Sequence, residues 1–187
     1  PGQNKPPGKP PVEPPIEPPP ATGPLPELPR TQVDVTYVNP TGTTIPVRDS
    51  LQLQQALNTA LPGQLIVADY SGTYQGTFSL PKKPEGAPIY VVTSALSMIS
   101  AGRVSPADSG AMPKLIAPDP TSPALYTAAG AHDYRFVGIS FECQTGEANS
   151  GLIRLGTGSE TVAADFPSRI ILDRCAVRGD SASGGRR

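Results

Sequence analysis

Apolar residues in the stretch Asp49 to Leu80 change period twice. Leu53, Ala56, Leu57, Ala60 and Leu61 fall at i, i+3, i+4, i+7 and i+8, with Gln52, Gln54, Gln55 and Asn58 between them. That spacing predicts one amphipathic helix. Asp49 or Ser50 supplies an N-cap oxygen, and Gln52 stands three residues after Asp49, as in a capping box. Pro62-Gly63 ends the helix. Leu65-Ile66-Val67-Ala68 is a short branched run that predicts a buried strand. Ser71-Gly72 predicts a turn, and Tyr74, Phe78 and Leu80 alternate into a further strand.

Short strands dominate the rest. Val33, Val35 and Tyr37 alternate, so a first strand is expected over Thr31 to Val38, with a turn at Asn39-Pro40-Thr41-Gly42. Pro81 to Gly86 reads as a loop and Pro88 to Thr93 as a strand. Residues 94 to 122 read as a long excursion with a strand near Lys114-Leu115-Ile116, and Pro123 to Ala128 as the return from it. Phe136-x-x-Ile139-x-Phe141 and Leu172-x-x-Cys175-x-Val177 share one spacing, 36 residues apart. Superposing them sets Glu142 beside Arg178, one strand apart, as an outward-facing ion pair. Ser150 to Leu155 predicts a strand between the two copies, and Gly156 to Pro167 a bulging loop.

One short helix feeding directly into many short strands resembles the N-terminal cap of the right-handed parallel β-helix in the pectin-lyase-like group of secreted bacterial proteins. Leu53-Gln54-Gln55-Ala56-Leu57, Ala60 to Ile66 and Gly72-Thr73-Tyr74 carry the likeness. It implies an all-β fold, a parallel β-helix segment over residues 31–187 with its open N-terminal end covered by the helix. A stacked coil otherwise exposes apolar interior and unpaired edges there. The likeness also implies a secreted or cell-surface location. Leu172 to Asp180 resembles a middle rung, so a fragment, a processed piece or a domain completed by a partner is expected. A β-sandwich with one incidental helix is the competing fold.

Composition adds a second segment. Of 25 prolines, 13 lie in residues 1–30, where Val12-Glu13-Pro14-Pro15 and Ile16-Glu17-Pro18-Pro19 repeat. Such a stretch favours an extended polyproline II arm, serving as spacer or as docking strip. Net charge of -1 argues against a nucleic-acid partner. No run is long and apolar enough to span a membrane, and no signal peptide is recognisable in this chain. An aromatic content of 5% is thin for a broad sugar-stacking surface.

Candidate chemistry is sparse. Lyases and glycosidases of the resembling group carry their bases and carboxylates on later coils. No position here matches such a motif, so no catalytic residue is assigned and enzyme activity is left open. Glu142, Asp173 and Asp180 are the acids near the repeated rungs. With Arg174 and Arg178 they are the candidate ligand-binding residues, because paired planar charged groups bind sugar hydroxyls. His132-Asp133 reads as a turn element. A single His and two cysteines leave few metal options, and neither metal nor cofactor is expected. The register sets Cys143 and Cys175 too far apart to bridge unless the strand turns sharply, which favours Cys175 as a buried thiol. Two functions are expected as alternatives. One is a carbohydrate-binding protein, or the N-terminal part of a polysaccharide-degrading one. The other is an assembly subunit that contacts partner chains through residues 1–30 and the C-terminal strand edge.

Overall fold

The computed structural model describes residues 36–146 and 148–180. The arm expected over residues 1–30 lies outside them. Helix α1 (Ser50–Thr59) forms as the pattern requires. Asp49 caps it, its carboxylate accepting from the Gln52 amide at 2.8 Å, while Gln52 Oε1 accepts from the Arg48 amide at 2.9 Å. Leu53, Ala56 and Leu57 are buried. Leu61 is not, because the chain turns extended at Ala60 and rotates Leu61 into solvent.

Everything else regular is short. Strand β1 (Thr44–Val47) precedes the helix. After it come β2 (Leu65–Ala68), β3 (Thr73–Gln75), β4 (Phe78–Leu80), β5 (Ile89–Thr93), β6 (Lys114–Ile116) and β7 (Leu125–Thr127). Then follow β8 (His132–Val137), β9 (Ser140–Glu142), β10 (Ile153–Arg154), β11 (Ser168–Asp173) and β12 (Ala176–Arg178). All pairings are parallel. The first sheet has the order β1-β2-β5-β8-β11, the second β12-β9-β6-β3 and the third β10-β7-β4. From β2 onward, successive strands therefore enter the first, second and third sheets in turn.

The registers stack like on like. Ile66, Val91, Phe136 and Leu172 form one column across the first sheet. Tyr74, Leu115, Phe141 and Val177 form another across the second, and Phe78, Leu125 and Ile153 a third. One apolar cluster draws on all three sheets and on α1, which packs against β1, β2, β3 and β4. The outer side of β5 is also covered, by Tyr37 and Leu96 over Tyr90 and Val92. This explains why Ile89 to Thr93 is apolar or buried at every position.

Two predicted strands change. The alternation from Tyr74 to Leu80 is two strands in different sheets, because Gly76 takes φ +151° and turns the chain between them. The described part of the expected first strand, Thr36 to Val38, is irregular; residues 31–35 lie outside the described residues. Gly42 instead approaches Gly63 so closely that a Cβ would meet its carbonyl oxygen at 2.4 Å. Its amide donates to that oxygen, and pairing with β2 begins at Thr44.

Candidate functional site

Two loops meet beside the start of β8. The Pro81–Gly86 loop joins β4 to β5 and is held by the buried Tyr134, whose hydroxyl donates to the Pro81 carbonyl at 2.8 Å. Burial pushes that phenol well above its ordinary pKa, so it stays a donor. The second loop runs from β10 to β11 and carries a short 3-10 helix, Ala163–Asp165. Gly130 lets it close down: its amide donates to the Asp165 carbonyl at 2.6 Å, and a Cβ would stand 2.8 Å from the Ala164 oxygen. Between the loops lies a cleft of about 260 Å³, lined by Lys82, Glu85, His132, Phe166 and Ser168 among others. Phe166 is 55% exposed.

A charged cluster forms one wall. His132 is almost fully buried, with Nδ1 2.7 Å from Asp133 Oδ2 and Nε2 3.6 Å from Glu85 Oε1. Arg169 reaches across from β11. Its Nε and Nη2 donate to the two Asp133 oxygens at 2.5 and 2.7 Å, and Nη2 donates to Glu85 Oε2 at 2.9 Å. The Arg169 hydrogen bond, with help from His132, holds the Asp133 carboxyl below its usual range. Asp133 and Arg169 both have left-handed backbone, φ +60° and +54°. The ladder skips both: Ser168 pairs with His132 and Ile170 with Tyr134. Each is set out of the regular strand geometry, and their side chains meet. Glu85, His132 and Asp133 together place one ligand atom each within 4.8 Å of one another, a spacing able to hold a metal ion.

The residues singled out from sequence separate into two groups. Glu142, Arg178 and Asp180 line one shallow depression of about 280 Å³ with Cys143 and Thr145. Arg178 does stand in register with Glu142. The expected ion pair does not form. Glu142 accepts from the Ser140 hydroxyl at 2.7 Å and faces Lys114 at 3.6 Å, because the preceding strand offers a cation on its other side. Asp173 and Arg174 lie elsewhere, tied into a partly buried network. Asp173 accepts from Arg135 at 2.9 Å and contacts Arg174 at 3.2 Å, while Arg174 lies over the Tyr37 ring. That network fastens Tyr37 to the first sheet and leaves Asp173 little capacity for a ligand.

Cys143 and Cys175 are free thiols. Cys175 packs against the main apolar cluster, and desolvation pushes its thiol up to about 12. His132-Asp133 is no turn: both belong to β8. The cluster around them escaped the sequence reading because Glu85 and Arg169 are distant in the chain. One signal was present. His132-Asp133 and Ser168-Arg169 are 36 residues apart, the same offset that links Phe136 to Leu172. No protein-family model matches this chain, and no curated protein resembles it closely enough to count as a relative.

Proposed function

We propose that this chain is the N-terminally capped part of a right-handed parallel β-helix, secreted or displayed at a cell surface, that binds carbohydrate in the cleft between residues 81–86 and 163–168. Three parallel sheets visited in rotation, with like residues stacked in columns, support the β-helix reading. The observation that carries the binding reading is Phe166. An aromatic ring left half in solvent, beside His132, Glu85, Lys82 and Ser168 in one cleft, has the composition of a sugar subsite. The C–H face of a pyranose packs on the electron-rich ring face, and the polar groups around it take the hydroxyls.

The test is binding of soluble neutral and acidic polysaccharides, measured by affinity electrophoresis and calorimetry. Phe166→Ala should weaken binding about tenfold, roughly the 1.4 kcal/mol expected for a lost stacking contact. The exposed position predicts an unchanged fold. Retention of no glycan, or equal affinity in the variant, would end this reading.

A second reading, assembly with other chains, is favoured by a different observation. Among the described residues, β10, β11 and β12 are the last strands of their sheets, and Leu172 and Val177 there are 41% and 57% exposed. Unpaired strand edges beside exposed apolar side chains are what edge-to-edge association uses.

A further inference from the structure

We propose that His132 and Glu85 form a divalent transition-metal site, suited to zinc, whose open coordination positions face the cleft. Such a site would stand with or without a carbohydrate in the cleft.

His132 Nδ1 lies 2.7 Å from Asp133 Oδ2 and 3.3 Å from Arg169 Nη2; the shorter contact, to a carboxylate oxygen that can only accept, assigns the proton to Nδ1. With the proton on Nδ1, the nitrogen able to ligate is Nε2, the atom that faces Glu85. A carboxylate on one ring nitrogen with the other free is the arrangement that orients metal-bound histidines and raises their basicity. Asp133 is thus a positioning residue and not a ligand.

Two ligands about 2.0–2.1 Å from a tetrahedral zinc stand about 3.3 Å apart. His132 Nε2 and Glu85 Oε1 are 3.6 Å apart, within a small adjustment of that chord. The adjustment falls to Glu85, whose side chain is 78% exposed. Arg169 binds the other oxygen of Glu85, Oε2, and so turns Oε1 towards the ring. Glu85, Asp133 and Arg169 together carry one net negative charge and Lys82 in the cleft wall offsets it, so attraction for a dication comes from the Glu85 carboxylate at close range. Imidazole with carboxylate suits zinc, copper or nickel better than calcium or magnesium. With two protein ligands, one fewer than open catalytic zinc sites have, the remaining positions are left for water or for oxygens of a bound molecule.

His132 is the chain's one histidine, which makes the test clean. The full chain, without an affinity tag and with Cys143→Ser to remove one of the two free thiols, is titrated with zinc while the histidine ring signals are followed by NMR. Cobalt serves as the visible-absorption probe. One equivalent of zinc should shift the ring signals, with the Nε2 resonance moving most. Glu85→Gln, on an exposed side chain, should weaken zinc binding about tenfold or more while leaving the fold intact. Asp133→Asn should weaken it about 10–100-fold, the usual effect of losing the carboxylate behind a ligating histidine. Ring signals that ignore zinc, or equal affinity in Glu85→Gln, would overturn the proposal. Because no glycan is present, failure here leaves the carbohydrate reading standing, and the converse also holds.

Discussion

Asp133 is the residue on which the candidate site turns. It meets His132 and Arg169 at once, and these contacts hold its carboxyl below the ordinary range, Arg169 first. The sign of the consequence follows from linkage. A carboxylate depressed in the fold contributes stability above its unfolded pKa, about 3.9, and loses that contribution as pH falls through the lower folded value. Wild type should therefore exceed Asp133→Asn in stability at pH 7, and the gap should narrow as pH drops below about 4. Urea midpoints at pH 7 and pH 3 measure it; a gap that stays constant refutes the assignment. From sequence this residue read, with His132, as a turn element, whereas both stand in β8. Its salt bridge needed Arg169 on a strand 36 residues on, and contacts of that separation are set by register.

At the scale of elements, the corners between strands are as informative as the strands. Gly138, between β8 and β9, has φ +68°, and 36 residues later Arg174, between β11 and β12, has φ +49°. The same corner recurs, and each copy needs a left-handed residue. A side chain at Gly138 would also collide, since a Cβ would lie 2.5 Å from Ile99 Cδ1 and 2.8 Å from Thr93 Cγ2. Gly138→Ala should cost about 2–4 kcal/mol from backbone strain and overpacking together. Gly102→Ala, where a Cβ meets nothing, is the control and should stay within about 0.5 kcal/mol. Denaturant unfolding of both variants decides, and a Gly138→Ala loss no larger than the control's refutes the corner argument. Local pattern located α1, β2, β5 and β6 to within a residue or two. It merged β3 with β4, because alternation continues through Gly76 although the chain changes sheet there.

For the described chain as a whole, the two ends of the stacked columns differ. At one end α1 lays Leu53, Ala56 and Leu57 over strands of all three sheets. At the other, the columns finish on Leu172 and Val177, both partly in solvent. If that end is an assembly surface, the purified chain should form a discrete species larger than 19.4 kDa. Charged substitutions, Leu172→Glu with Val177→Lys, should return it to monomer, read by light scattering after size exclusion. A monomer at all concentrations, in wild type and variant alike, rules out assembly through this edge.

Local pattern was enough for the helix, its cap, the buried face of α1, the run of short strands and the 36-residue repeat. Each depends on period or on one residue's conformational preference, which neighbours in sequence already express. Sheet membership, the corner at Gly76, the turning of Glu142 from Arg178 to Lys114, and the meeting of Glu85, His132, Asp133 and Arg169 were decided by tertiary structure alone. Parallel stacking brings together residues tens of positions apart, and which of several nearby charges a side chain chooses depends on distances that only the folded registers define.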